Sequence, residues 1–215
     1  MERKTLIPVA LSGFLIASLL VGARFGFPWA GGAGEAEKPL SLVVSRIEGE
    51  ATADAAGRSR ALVVGDTLVR GEVLATSDDT RLELTADGVR FGMDERTLVE
   101  LTSLIPSDLA VTVRTGRVAA TISADTAGFG IVTKESESRI STAGTLAITY
   151  YNFEDRVDIA PVEGPVAVFL SDGRTFISAS AQEVTEAPSL SIRAIPFDPS
   201  AGAGAAFFAW YGLTR

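Results

Sequence analysis

The sequence predicts an all-β domain, an elongated and twisted stack of short strands, with one transmembrane helix ahead of it. From residue 42 to about 185, short stretches rich in Val, Ile, Leu and Thr alternate with Gly, Asp and Ser. Many short strands separated by turn residues at intervals of roughly 8–12 are typical of a sandwich, barrel or solenoid. The chain is 47% hydrophobic but only 7% aromatic, so an aliphatic core is expected, in a solenoid-like or sandwich-like arrangement.

Residues 1–24 are predicted to form a short cytoplasmic stub and a transmembrane signal-anchor helix. Residues 5–23 carry no charge, and about 17–25 apolar residues can cross a bilayer. Because Arg3 and Lys4 precede this run, the positive-inside rule places the N-terminus in the cytoplasm and the main domain in the periplasm or outside the cell. A cleaved signal peptide and a buried core helix are the alternatives.

Short stretches rich in Val, Ile, Leu and Thr locate the strands of the body, and several of them show period-two alternation of apolar and polar residues. Leu82 and Leu84 share one face of a predicted strand, whereas Arg81 and Glu83 share the other. The predicted strands cover residues 42–47, 60–64, 67–69, 80–85, 89–93, 97–101, 109–114, 117–122, 129–133, 138–141, 145–150, 156–160, 165–170 and 174–177.

Turns and boundaries follow from Gly, Pro and Asp. The pairs Asp87-Gly88 and Asp172-Gly173 predict two hairpin tips, because Asp-Gly readily adopts positive φ. Residues 103–108 are the only part of the body in which a helical turn is expected. The sequence divides into a Gly/Ala/Pro linker over 25–39, a β domain over 40–187 and a C-terminal extension over 188–215 with an aromatic tail.

Composition excludes several kinds of chemistry. The chain has no cysteine and no histidine, which excludes His-dependent nucleophilic triads, thiol catalysis, disulfides and the usual zinc ligands. The net charge is −8 for the whole chain, and the part from residue 40 onward carries 15 basic and 24 acidic residues, a net charge of −9. This acidic balance argues against nucleic-acid binding.

Acidic residues and one lysine are the remaining candidates for catalysis or metal binding. The adjacent pairs Asp78-Asp79 and Asp94-Glu95 could serve a glycosidase, but solvated turn residues are the preferred interpretation. Lys134 lies in a polar stretch that predicts a solvated loop rather than a nucleophile pair. The loop aspartates lack the spacing of a calcium loop; they are Asp78, Asp79, Asp87, Asp94 and Asp125. We therefore predict a chain that is not an enzyme and has no cofactor or metal.

Clustered aromatic residues mark the predicted contact surface. They are Tyr150, Tyr151 and Phe153 in one group and Phe207, Phe208, Trp210 and Tyr211 in the tail. The first group could stack on a sugar or peptide, or Tyr150 and Phe153 could cap the core at a strand end. The tail could pack on the domain, dock on a partner or touch the membrane interface.

An ordered series of short motifs resembles the FecR-type extracytoplasmic domain over about residues 42–185. The series runs through Ile47-Glu48-Gly49, Val64-Gly65-Asp66, Gly71-Glu72-Val73, Ala86-Asp87-Gly88, Gly116-Arg117-Val118, Gly144-Thr145 and Val162-Glu163-Gly164. The resemblance implies an all-β domain of stacked, twisted strands. In the best-known members it implies a membrane-bound regulator of a cytoplasmic sigma factor. Only four residues precede the apolar run here, so we expect no sigma-binding segment.

The leading prediction is a membrane-anchored, non-enzymatic binding and scaffolding module at the cell envelope, with a protein or envelope glycan as partner. The alternatives are a transmembrane signalling regulator that relays an outside state to a sigma factor or other partner, and a carbohydrate-active enzyme. No nucleic-acid partner is expected, and the sequence leaves the oligomeric state open.

Overall fold

The computed structural model describes residues 37–123, 128–186 and 189–214, and residues 37–215 form one compact unit. The predicted transmembrane segment and linker lie outside the described residues, except for residues 37–39. In the part of the chain that is described, no helix has the length and apolarity needed to span a membrane.

The described residues form strands and one short helix, which confirms the all-β fold class. The strands are β1 (Leu42–Glu48), β2 (Ala51–Ala55), β3 (Arg58–Ala61), β4 (Thr67–Leu68), β5 (Val73–Thr76), β6 (Arg81–Ala86), β7 (Val89–Met93), β8 (Leu98–Ile105), β9 (Asp108–Ile122), β10 (Phe129–Val132), β11 (Ser136–Ile140), β12 (Gly144–Tyr151), β13 (Arg156–Glu163), β14 (Val166–Leu170), β15 (Thr175–Ser178), β16 (Gln182–Thr185) and β17 (Ser191–Ala194). The helix, α1, is Ala205–Tyr211.

The strands form two sheets that share β9. Sheet A has the order β4-β1-β6-β7-β9-β12-β13-β16-β17. Sheet B has the order β3-β2-β5-β8-β9-β10-β11-β14-β15. These ladders are antiparallel apart from the parallel pair β9 and β10. Both sheets contribute residues to one buried cluster.

Strand β9 crosses from one sheet to the other at Gly116. Its first half pairs with β8 and β10 in sheet B, and its second half pairs with β7 and β12 in sheet A. Gly116 has φ +100°, and a Cβ there would lie 2.6 Å from the Cα of Thr97. Only glycine fits such a position. The sequence predicted two strands here, 109–114 and 117–122, whereas the structure has one bent strand.

The core lies between the sheets and is mainly aliphatic. Side chains from both sheets meet in one buried cluster. Phe91 of sheet A contacts Phe129 of sheet B with ring centroids 5.6 Å apart, and both residues are fully buried. The alternation predicted for β6 is present, since Leu82 and Leu84 are fully buried.

The two predicted hairpin tips are confirmed, whereas the prediction of a helical turn over residues 103–108 is wrong. Gly88 and Gly173 have φ of 68° and 86°, and each lies in the turn between two paired strands. Residues 103–108, predicted as a helical turn, instead form the end of the β8–β9 hairpin, in which Ile105 pairs with Asp108. Sequence reasoning missed β2, β5, β16 and β17, which have four or five residues each. Strands this short contain too few residues for alternation to be recognised, and they form through pairing with their neighbours.

Candidate binding groove and the C-terminal helix

A row of very small residues crosses the outer face of sheet A. Gly92 on β7 pairs with Ala119 on β9, Ala119 pairs with Ala147 on β12, and Ala147 pairs with Ala160 on β13. The three alanines pack outside the main core, in a second buried cluster. The row therefore forms a shallow trough in which a bulky element can approach the backbone of the sheet.

Helix α1 fills this trough with aromatic side chains. Phe207, Phe208 and Tyr211 are 0%, 5% and 0% exposed. A Cβ at Gly92 would lie 2.5 Å from Cδ2 of the Tyr211 ring, so the glycine provides the space for that ring. The helix ends at Gly212, which has φ +87° and donates its backbone N–H to the carbonyl of Ala209.

Three arginines of sheet A contact the aromatic rings of α1. The guanidinium-to-centroid distances are 4.4 Å for Arg46 over Trp210, 4.2 Å for Arg90 over Tyr211 and 5.8 Å for Arg117 near Phe208. The Tyr211 hydroxyl also donates a hydrogen bond to the Arg90 carbonyl at 2.7 Å. Cation–π contacts of this kind contribute about 0.5–2 kcal/mol each.

The predicted tail surface is therefore directed inward in this structure. Among the alternatives for the tail, packing on the domain is the one observed. Phe207, Phe208 and Tyr211 are buried, and Trp210 is partly buried. Whether these rings also contact a partner stays a prediction. The C-terminal extension belongs to the same compact unit, since β17 pairs with β16 and α1 packs on sheet A.

A charged row runs beside the row of small residues. Arg117, Thr149 and Asp158 are in register across β9, β12 and β13. Arg117 donates to Asp94 Oδ2 at 2.5 Å and to Thr149 Oγ1 at 3.3 Å. Burial raises the pKa of Asp94, while the Arg117 guanidinium opposes the shift. Arg117 thus joins the outer face of the sheet to an acidic side chain that is only 7% exposed.

Two surface depressions lie along this charged row. One compartment, of about 370 Å³, lies between the sheet and the segment that precedes α1. A second, of about 610 Å³, lies beside the β12–β13 turn. Both are lined by Arg117, Thr149, Tyr151 and Ala203, so the two compartments are neighbours, and together they are here called the groove.

The three aromatics of the β12–β13 region have three different environments. Tyr150 is 5% exposed and donates its hydroxyl to Glu135 Oε1 at 3.2 Å, so it belongs to the core. Tyr151 lines the groove, with the Arg156 guanidinium 3.9 Å from its ring centroid. Phe153 is 97% exposed at the rim. Four predicted contact residues line the groove, namely Tyr150, Tyr151, Phe153 and Phe208. Of these, Tyr150 and Phe208 are buried, whereas Tyr151 and Phe153 are accessible.

Asp158, which lines the groove, and the nearby Arg156 each have one buried polar atom without a hydrogen bond in the described part of the chain. Asp158 Oδ1 and Arg156 Nε are 3.7 Å apart. Neither buried atom has a hydrogen-bond partner among the described residues. Burial raises the pKa of Asp158, and Arg156 opposes the shift. The sequence pattern did not predict this pair, because alternation along the strand places Arg156 and Asp158 on its solvent-exposed face.

The two acidic pairs considered for catalysis lie on neighbouring turns, and arginines neutralise one carboxylate of each pair. Asp78 is ion-paired with Arg96, and Glu95 accepts a hydrogen bond from the backbone N–H of Asp79. Asp94 is paired with Arg117 as described above. Asp125 lies outside the described residues.

Lys134 and Glu135 occupy the turn between β10 and β11. The Lys134 ammonium lies 2.7 Å from Asp155 and 2.8 Å from Glu186, and these two carboxylates raise its pKa. Glu135 is fully buried, although its polar sequence context predicted a loop in solvent. Burial raises the pKa of the Glu135 carboxyl above its ordinary value of 4.5, opposed by hydroxyl groups that include that of Tyr150.

Replacement of Glu135 by glutamine is expected to flatten the pH dependence of stability. Because the folded-state pKa of Glu135 is raised, the folded state holds this proton more tightly, and the wild type loses stability as pH rises above 4.5. The penalty is absent at lower pH and complete above the folded-state pKa. In metal-free buffer, urea unfolding at about pH 4 and pH 8 should show E135Q gaining about 1.4 kcal/mol relative to wild type per unit of raised pKa. Parallel pH profiles would contradict this expectation.

Comparison with known proteins shows a likeness in fold. Two crystal structures of a "putative anti-sigma factor" from Parabacteroides distasonis ATCC 8503, at 2.50 and 1.65 Å resolution, match with TM-scores of 0.51 and 0.52 and 12% identity. The match covers 60% of this chain and 61% of theirs. No family model and no curated protein matches the chain. About 60% of this chain thus has a fold similar to that of part of these two structures.

Proposed function

We propose that this chain is a membrane-anchored, non-enzymatic, FecR-like binding module of the cell envelope that holds a protein partner in the groove. The observation that carries the proposal is Phe153, a large apolar side chain 97% exposed at the rim of a depression that also contains Tyr151. Aromatic residues are enriched at the energetic centres of protein interfaces.

The charges around the groove favour a polypeptide over a neutral sugar. Its lining contains Arg96 and Arg117 together with Glu154 and Asp158. Positive and negative groups in one groove can pair with the charged side chains and backbone dipoles of a peptide segment.

The non-enzymatic part of the proposal is supported by how the acidic groups are used. The chain contains no histidine or cysteine. Asp94 and Asp78 are each held by an arginine at 2.5 Å. Carboxylates neutralised in this way are poorly placed to act as an acid–base pair on a substrate.

A signalling regulator is the second candidate, and the solved structures favour it. Both are described as a "putative anti-sigma factor", and the match covers 60% of this chain and 61% of theirs. In this candidate the groove senses a partner outside the cytoplasm and the predicted N-terminal helix relays its state. Cross-linking through residues 5–23 that captures an intramembrane or cytoplasmic protein would support it.

Site-specific photo-cross-linking tests the groove. A benzophenone amino acid at Phe153 of the full chain, in cells that naturally contain it, is expected to give one discrete protein adduct. The matched control is Phe169 on β14 of sheet B, which is 42% exposed and should not give that adduct. The adduct from position 153 should weaken when Tyr151 is replaced by alanine.

Two outcomes would contradict the proposal. Identical adducts from positions 153 and 169 would mean that the groove has no specific role. An adduct removed by glycan-degrading enzymes but not by protease would identify a glycan partner instead.

A further inference from the structure

Three carboxylates converge where separate turns of the chain meet. Glu135 lies between β10 and β11, Asp155 directly precedes β13, and Glu186 directly follows β16. One ligand oxygen from each lies within 4.8 Å of the others. The backbone N–H of Glu186 donates to the carbonyl of Asp155 at 3.0 Å, which holds two of the turns together. None of these acids was singled out by the sequence patterns.

The buried carboxylate is the feature that indicates a ligand. Glu135 is 0% exposed. Its Oε1 accepts the hydroxyl of Tyr150 at 3.2 Å, but no hydrogen bond of ordinary geometry reaches Oε2 from the described residues. An ionised carboxylate removed from water costs several kcal/mol unless a proton or a cation compensates it.

The Lys134 ammonium neutralises part of the negative charge of the other two carboxylates, Asp155 and Glu186. It bridges Asp155 and Glu186 at 2.7 and 2.8 Å. Three ionised carboxylates and one ammonium carry a net charge of −2, so the cluster can accept a further positive charge. The Lys134 side chain is 55% exposed, and an exposed ion pair of this kind contributes only about 0–1 kcal/mol. The ammonium can therefore swing into solvent at small cost.

We infer that Glu135, Asp155 and Glu186 form a binding site for a hard divalent cation, such as Ca²⁺, Mg²⁺ or Mn²⁺, that displaces the Lys134 ammonium. Carboxylate oxygens are the ligands these ions prefer, and water completes their coordination. The bound ion would tie the turn that carries Phe153 to the turn that carries Glu135. The inference is independent of any partner in the groove.

Luminescence of Tb³⁺, a lanthanide probe of calcium sites, tests the inference directly. Tyr150 is hydrogen-bonded to Glu135, so excitation of tyrosine should sensitise a Tb³⁺ ion bound in the cluster, and Ca²⁺ should compete for it. Replacing Glu135 by glutamine should weaken binding at least tenfold. The control is Glu163→Gln, at an exposed position of β13 outside the cluster, which should bind as wild type does. The urea unfolding described above verifies that E135Q is folded.

The Lys134→Met variant tests whether the cation displaces the ammonium, through the direction in which the cation affinity changes. If a cation displaces the ammonium, removing the ammonium should tighten binding by on the order of tenfold, the effect of one nearby unit charge in a partly exposed site. The inference is overturned if neither wild type nor K134M binds Tb³⁺, Ca²⁺ or Mn²⁺ in the millimolar range. It is also overturned if E135Q and E163Q bind equally.

Discussion

Replacing Phe207 by alanine should lower the free energy of unfolding by about 3–5 kcal/mol. Phe207 is fully buried, with the rings of Phe208 and Tyr211 at centroid distances of 5.4 and 5.9 Å. Below it the row of small residues cannot move up to fill the void, because Ala119 and Ala147 belong to paired central strands. A helix of seven residues has little stability by itself, so α1 depends on this contact.

Phe153→Ala is the matched control for Phe207→Ala. Both changes remove the same atoms, but Phe153 is 97% exposed and should change stability by less than about 0.5 kcal/mol. Urea unfolding followed by circular dichroism measures both, and limited proteolysis shows whether residues 205–214 become accessible in F207A. Equal stabilities of the two variants would mean that α1 contributes nothing by docking on sheet A.

Replacing Arg117 by methionine should cost about 3 kcal/mol, because it leaves Asp94 buried without its closest cation. The two side chains form an ion pair at 2.5 Å and are 16% and 7% exposed. Arg81 lies at 3.9 Å from the same carboxylate and can compensate only in part. The variant also loses the hydrogen bond to Thr149 and the contact with Phe208.

The cost of Arg117→Met should depend on pH. Burial already raises the pKa of Asp94, and loss of the guanidinium should raise it further. The folded state of the variant then binds a proton that the unfolded state releases, so the destabilisation is largest above the folded-state pKa and shrinks as pH falls.

Arg114→Met serves as the control, because Arg114 is 52% exposed and pairs with Glu100 at the surface. Its replacement should cost about 0–1 kcal/mol. Urea unfolding at neutral and acidic pH distinguishes the two variants. A cost for R117M that does not depend on pH would contradict the role given to Asp94.

The sequence identified the aromatic residues of the groove, but it did not show which of them are buried and which are exposed. Tyr150, Tyr151 and Phe153 look equivalent in a short aromatic stretch, yet one is in the core, one lies under an arginine and one is exposed. Alternation along β12 separates Tyr150 from Tyr151. It does not show that Glu135, fifteen residues earlier, receives the Tyr150 hydroxyl.

The small-residue row shows most clearly what sequence reading misses. Gly92, Ala119, Ala147 and Ala160 come from four strands spread over almost seventy residues. Each is unremarkable in its own strand. They form a trough only when the register is known, since a shift of one residue would turn each of them to the other face.

By itself the sequence determined the all-β class, the aliphatic core and the hairpins at Asp87-Gly88 and Asp172-Gly173, because alternation and positive φ are local properties. Tertiary structure alone decided that β9 joins both sheets, that α1 docks on the row of small residues, and that Glu135, Asp155 and Glu186 meet. These features depend on contacts between residues distant along the chain, and pairing geometry rather than local preference creates them.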